Sequence, residues 1–157
     1  MSGEEVNIHA TAIVVGTTGF LFVGPSGVGK SALAFACMHE ARALGRFAAL
    51  IADDRVLVSR FGEHLLARCP PPIAGLIELR HGGIAKVEHL PSALMHVAIS
   101  PVDGATAERL PPEGEQFSAA HGIALPLVRL PLGTPTPFSF IEAVMPALRD
   151  DRNGRTG

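Results

Sequence analysis

The run Gly24-Pro25-Ser26-Gly27-Val28-Gly29-Lys30-Ser31 satisfies the pattern G-x-x-x-x-G-K-S/T. Each residue type has its own use in such a run. Glycines let backbone N–H groups close on phosphate oxygens without obstruction by a Cβ, and a following helix N-terminus adds a favourable dipole. Lys30 has the reach to meet β- and γ-phosphates, and the Ser31 hydroxyl is suited to binding Mg²⁺. The flanks fit, since an apolar stretch precedes the loop and an apolar-periodic stretch follows it. A second group of interest is Asp53-Asp54, at the end of the apolar run Phe47 to Ala52. A strand that delivers a carboxylate beside a phosphate loop supplies either a metal partner or a base. No Asn-Lys-x-Asp run occurs, which argues against a guanine-reading switch protein.

The elements that must position these residues follow from periodicity. Asn7 to Val15 and Phe20 to Val23 read as strands around a Gly16–Gly19 turn. Lys30 to Leu44 reads as a helix, with Leu33, Ala34, Cys37, Met38 and Ala41 on one face and Gly45 at its C-terminal end. Phe47 to Ala52 is a candidate buried strand, and Arg55–Phe61 with His64–Cys69 reads as a hairpin. After Pro70-Pro71-Pro72, the stretch from Ile73 to His89 carries strand-like residues around a Gly82-Gly83 turn. Leu94–Ile99 and Ile123–Leu130 read as strands, Pro101–Gly122 as a surface loop, and Phe138–Leu148 as a terminal helix. Strands outnumber helices, so a mixed, strand-rich α/β sheet with one main helix after the phosphate loop is expected. One domain is expected over residues 1–148, with a disordered tail at 149–157.

Composition narrows the function classes. The chain has 157 residues, 47% hydrophobic and 18% charged, which is ample apolar surface for a core. Net charge is −2, and Trp and Tyr are absent, which disfavours both a basic nucleic-acid footprint and a base-stacking platform. The acidic start lacks a basic leader, and the most apolar stretch, Ala10 to Val23, is broken by Gly16-Thr17-Thr18-Gly19, so a cytoplasmic protein without a membrane span is expected. Cys37 and Cys69 form no C-x-x-C, and His39, His64, His89, His96 and His121 are too scattered for a metal site.

Further stretches resemble the HPr kinase/phosphorylases of bacterial sugar-phosphotransferase regulation, over roughly residues 6 to 145 and in their catalytic domain. His9 precedes Lys30 at the spacing of that family's catalytic histidine. Ile51-Ala52-Asp53-Asp54-Arg55-Val56 resembles its V/I-A-D-D-x-V block, and Ile77-Glu78-Leu79-Arg80-His81-Gly82-Gly83-Ile84 its E-I-R-G-L-G-I signature. Arg109, in Glu108-Arg109-Leu110, stands at the position of its catalytic arginine. The chain is similar to the short alphaproteobacterial versions without the N-terminal domain. It departs from the family in a longer span from Lys30 to Asp53, in His81-Gly82 within the signature, and in Leu130–Thr136, which replaces a P-V-x-x-G-R-N segment.

The resemblance implies the HPr kinase/phosphoenolpyruvate carboxykinase C-terminal fold and an ATP- and Mg²⁺-dependent serine kinase. Its partner would be HPr, a small phosphocarrier protein, or the nitrogen-branch homologue of HPr. It further implies a homo-oligomer, hexameric in the relatives. His9, Lys30, Asp53, Asp54 and Arg109 would be catalytic, with Asp54 favoured over Asp53 as the base, and Ser31 and Glu78 would hold Mg²⁺. Loss of the G-R-N segment implies weak or absent phosphorylase activity. Two other classes stay open at this point: a nucleotide-sensing module with little turnover, and a small-molecule kinase built on the same core.

Overall fold

The computed structural model describes residues 4–145. In chain order the strands are β1 (Val6–Ile8), β2 (Ala10–Val15), β3 (Thr18–Val23), β4 (Ala48–Ala52), β5 (Val56–Phe61), β6 (His64–Arg68), β7 (Leu76–Leu79), β8 (Gly83–Lys86), β9 (Ser92–Met95), β10 (Val97–Val102), β11 (Gln116–Ser118) and β12 (Ala124–Pro131). Helix α1 (Lys30–Ala43) follows β3, and α2 (Pro137–Val144) follows β12. A mixed six-stranded sheet has the order β11-β12-β10-β3-β2-β4, and an antiparallel four-stranded sheet the order β1-β5-β6-β9; β7 and β8 form a separate two-stranded sheet.

The six-stranded sheet is the middle of three layers, which explains its sequence. On one face Ile13, Val15, Phe20, Phe22, Leu50 and Ile99 pack against Leu33, Cys37 and Met38 of α1 and Phe138 and Ile141 of α2. On the other, Ala12, Val14, Leu21 and Ile51 meet Val56, Val58, Leu65 and Ala67 of the second sheet. All six residues of β2 are buried, the signature of a strand covered on both sides. Where β3 passes β9 of the second sheet, only glycine fits. A Cβ on Gly19 would stand 1.9 Å from the Leu94 carbonyl oxygen.

Helix α2 is held to α1 by polar contacts as well. The Glu40 carboxylate accepts from the backbone N–H of Phe138 (2.8 Å) and Ser139 (3.0 Å), which satisfies the start of α2. Arg46 pairs with Glu142 at 3.0 Å while lying over the Phe138 ring.

Four expectations need correction. The strand expected over Asn7–Val15 breaks at His9, because β1 belongs to the four-stranded sheet and β2 to the six-stranded one. The strand expected over Leu94–Ile99 likewise breaks at His96, with β9 and β10 in different layers. The expected loop Pro101–Gly122 begins inside β10, where Pro101 still pairs with Leu130, and it contains β11, whose Phe117 pairs with Leu125 of β12. Helix α1 stops at Ala43, one residue early, with Gly45 at φ 81° just beyond. The end of the terminal helix, from Pro146, and the tail at 149–157 lie outside the described residues.

Candidate active site

The loop from Gly24 to Gly29 joins a central strand to the first turn of α1. Gly24, Gly27 and Gly29 have φ values of 133°, 81° and 110°, a conformation that side chains resist. Lys30 opens the helix and is 7% exposed. Its Nζ donates back to the carbonyls of Gly24 (2.6 Å) and Pro25 (3.1 Å), so the amine lies within the curl of the loop.

Asp53 and Asp54 follow β4, and a bulge decides which of them faces the loop. Ala12 pairs with Ala52 but Ile13 pairs with Leu50, so Ile51 is an extra residue on β4. Ile51 and Ala52 therefore both turn toward the second sheet. Asp53 comes round to the α1 side, where it is 6% exposed. Its Oδ1 accepts from the hydroxyls of Ser31 (2.6 Å) and Thr11 (2.9 Å), and its Oδ2 accepts from the backbone N–H of Glu78 (2.9 Å). Asp54 is different in every respect. It adopts a left-handed backbone (φ 69°), its side chain is 64% exposed, and Oδ1 lies 3.7 Å from Nδ1 of the exposed His9.

These residues border one cavity of about 380 Å³, within the usual range for a small-molecule site. Lys30, Ser31, Asp53, Asp54 and Glu78 line it, together with Ser26, Gly27 and Gly29 of the loop. Gly24, Pro25 and Val28 form the back of the loop and do not reach the lining, and His9 joins only through Asp54. Arg109 is not brought in. It sits exposed in the segment between β10 and β11 and is not among the lining residues.

Two polar lining residues carry no role in the sequence reading. Arg80, just after β7, donates from Nη2 to the Gly27 carbonyl at 2.8 Å, so the β7–β8 hairpin holds both Asp53 and the tip of the loop. Thr11 is the other. Its only signal was a lone hydroxyl in the otherwise apolar strand β2. Among the described residues no cluster of three or more His, Cys, Asp or Glu side chains forms a metal site, and no helix is long and apolar enough to cross a membrane.

Comparison with known proteins bears on this arrangement. The HPr kinase/phosphorylase of Mycoplasmopsis pulmonis is 34% identical over 84 residues, covering 54% of this chain and 25% of that protein. The one from Neisseria meningitidis serogroup C is 37% identical over 83 residues, covering 52% and 24%. The chain thus spans about a quarter of the length of the curated relatives it matches. The structure of the Hpr(Ser) kinase/phosphatase from Coxiella burnetii superposes with a TM-score of 0.73 at 23% identity, covering 94% of this chain and 99% of that one. The fold is therefore that of the HPr kinase catalytic domain. The model of the HPr Serine kinase C-terminal domain matches residues 2–154. The chain belongs to that family.

Proposed function

We propose that this domain transfers the γ-phosphoryl group of ATP to the regulatory serine of an HPr-like phosphocarrier protein. The observation that carries the reading is the division of labour between adjacent aspartates in one cavity: Asp53 buried and bonded to Ser31, Asp54 exposed beside His9.

The donor set suits a magnesium–nucleotide complex. Ser31 gives its only proton to Asp53 and so keeps its oxygen lone pairs available to a cation. Glu78 adds one carboxylate at the lining, consistent with the habit of Mg²⁺ of taking few protein ligands alongside phosphates and waters. When bound, Mg²⁺ supplies charge neutralisation at the phosphates. Lys30 exchanges its loop carbonyls for phosphate oxygens. Asp54, open to an incoming protein, takes the proton of the serine hydroxyl as the serine oxygen bonds to phosphorus and the bond to the β-phosphate oxygen breaks. His9 steadies Asp54. Arg109 is assigned as a cation that its exposed segment carries toward the phosphates. The test is transfer of label from γ-labelled ATP. Label on HPr is expected; label only on the chain itself, or none with nucleotide still bound, points to the sensing module.

The reverse reaction, phosphorolysis, is expected to be weak or absent. In place of the family's G-R-N segment, the end of β12 sets Leu132 against the loop, where a Cβ on Gly29 would lie 3.0 Å from Leu132 Cδ2. An apolar side chain there gives no help in seating inorganic phosphate in line with a phosphoserine, and a small misplacement costs on the order of 10²-fold in rate. Pyrophosphate release from phosphoserine-HPr at a rate comparable to the kinase reaction would sink this assignment.

A further inference from the structure

Strand β2 is apolar and buried from end to end except for one hydroxyl. Thr11 is 0% exposed, pairs with Phe22 of β3, and shares its face of the strand with Ile13 and Val15. An apolar residue is what that position calls for on packing grounds. A threonine there has instead sent its proton to a buried carboxylate, Asp53 Oδ1, at 2.9 Å.

The contact has a consequence for the cation end of the site. Ser31 and Thr11 donate to the same oxygen, so the position of that oxygen sets the direction of the Ser31 hydroxyl. The third donor, the Glu78 N–H, holds only the other oxygen. Without Thr11, Oδ1 would be fixed by Ser31 alone, and the serine would be orienting the group that is supposed to orient it. Thr11 belongs to the middle sheet, so it ties Asp53 to a strand packed on both faces.

We infer that Thr11 is a positioning residue: acting through Asp53, it fixes the Ser31 hydroxyl for divalent-cation binding. The inference rests on the nucleotide reading above. Groups that orient metal ligands from behind commonly change metal affinity by about 10- to 100-fold when removed. Thr11→Val keeps the shape of the side chain and deletes the hydroxyl, Thr11→Ala deletes it with less bulk, and Thr11→Ser restores it.

The measurement is ADP affinity by calorimetry, with Mg²⁺ and with EDTA, alongside the melting temperature of the unliganded protein. For Thr11→Val the gain in affinity from Mg²⁺ is expected to fall by about tenfold while affinity in EDTA stays at the parental value. Thr11→Ser should recover the gain. Should Thr11→Val not fold, Thr11→Ala carries the same comparison. Equal loss with and without Mg²⁺, or an undiminished gain, overturns the inference, since a merely structural threonine would give one of these. A parent chain that gains nothing from Mg²⁺ would overturn the nucleotide reading and this inference with it. A parent that gains, matched by Thr11→Val, overturns this inference alone.

Discussion

Asp53 and Asp54 are neighbours in the chain, yet one accepts three hydrogen bonds and the other faces solvent beside a histidine. A carboxylate whose oxygens already hold three donors is poorly placed to take a proton from an incoming hydroxyl, and an open one is well placed. Asp54→Asn is therefore expected to lower kcat by on the order of 10²–10⁴-fold while nucleotide affinity stays within about twofold of the parent. Asparagine tolerates the left-handed backbone at this position, so the loss would not come from strain. Parallel loss of affinity would instead make Asp54 a metal partner and Asp53 the base. The sequence favoured Asp54 only by resemblance, and the reason is local. Strict alternation along β4 puts Ala48, Leu50, Ala52 and Asp54 on the α1 side, and one extra residue at Ile51 reverses the order from there on. The Asp pair and the glycine loop were legible because they rest on residue type and short spacing. Thr11 was not, because its meaning lies in a contact 42 positions away.

At the scale of elements, periodicity located α1 and the β5–β6 hairpin but ran two strands together in each of two places. An apolar run says that residues are buried, and both layers bury them. Only the change of partner shows the break: Met95 packs between the sheets, whereas Val97, two residues on, packs on the helix side. Strand β11 was hidden for another reason, since one half-buried residue, Phe117, is flanked by two exposed ones. Its approach is held by Glu115, which accepts from Arg129 of β12 at 2.8 and 2.7 Å. Glu5, just before β1, accepts from Arg68 of β6 in the same two-pronged way, at 2.7 and 2.8 Å. Hydrogen bonds from these guanidiniums hold both carboxyls below their ordinary value of 4.5. Such groups stabilise the fold above the unfolded-state value, and the contribution disappears as pH falls through the lowered folded-state values. The double variant Glu5→Gln/Glu115→Gln should melt slightly below the parent at pH 7, with the gap closing below about pH 4.5. Melting temperatures measured from pH 7 to pH 3 check this; a gap that stays constant across the range would remove the two clamps from the account.

At the scale of the whole molecule, the site is where separate parts of the fold meet. Thr11 comes from β2, Lys30 and Ser31 from α1, Asp53 from the end of β4, and Glu78 and Arg80 from the β7–β8 hairpin. The middle sheet supports them, with α1 on one face and the four-stranded sheet on the other. A ligand that engages these residues together binds the folded chain and not the unfolded one, so its binding energy adds to global stability. At about 100 times its dissociation constant, Mg²⁺-ADP would add about 2.7 kcal/mol, which for a domain of this size is a rise of roughly 5–10 °C in melting temperature. Lys30→Ala separates this effect from ordinary stability. The Lys30 amine meets only two carbonyls of its own loop, so its loss should move the unliganded melting temperature little. The same loss removes the cation that bridges the phosphates, and the Mg²⁺-ADP shift should largely vanish. Thermal melts of both proteins, with and without Mg²⁺-ADP, decide the point. An equal rise in parent and variant would mean that the nucleotide sits elsewhere, and the loop from Gly24 to Ser31 would lose its assigned role.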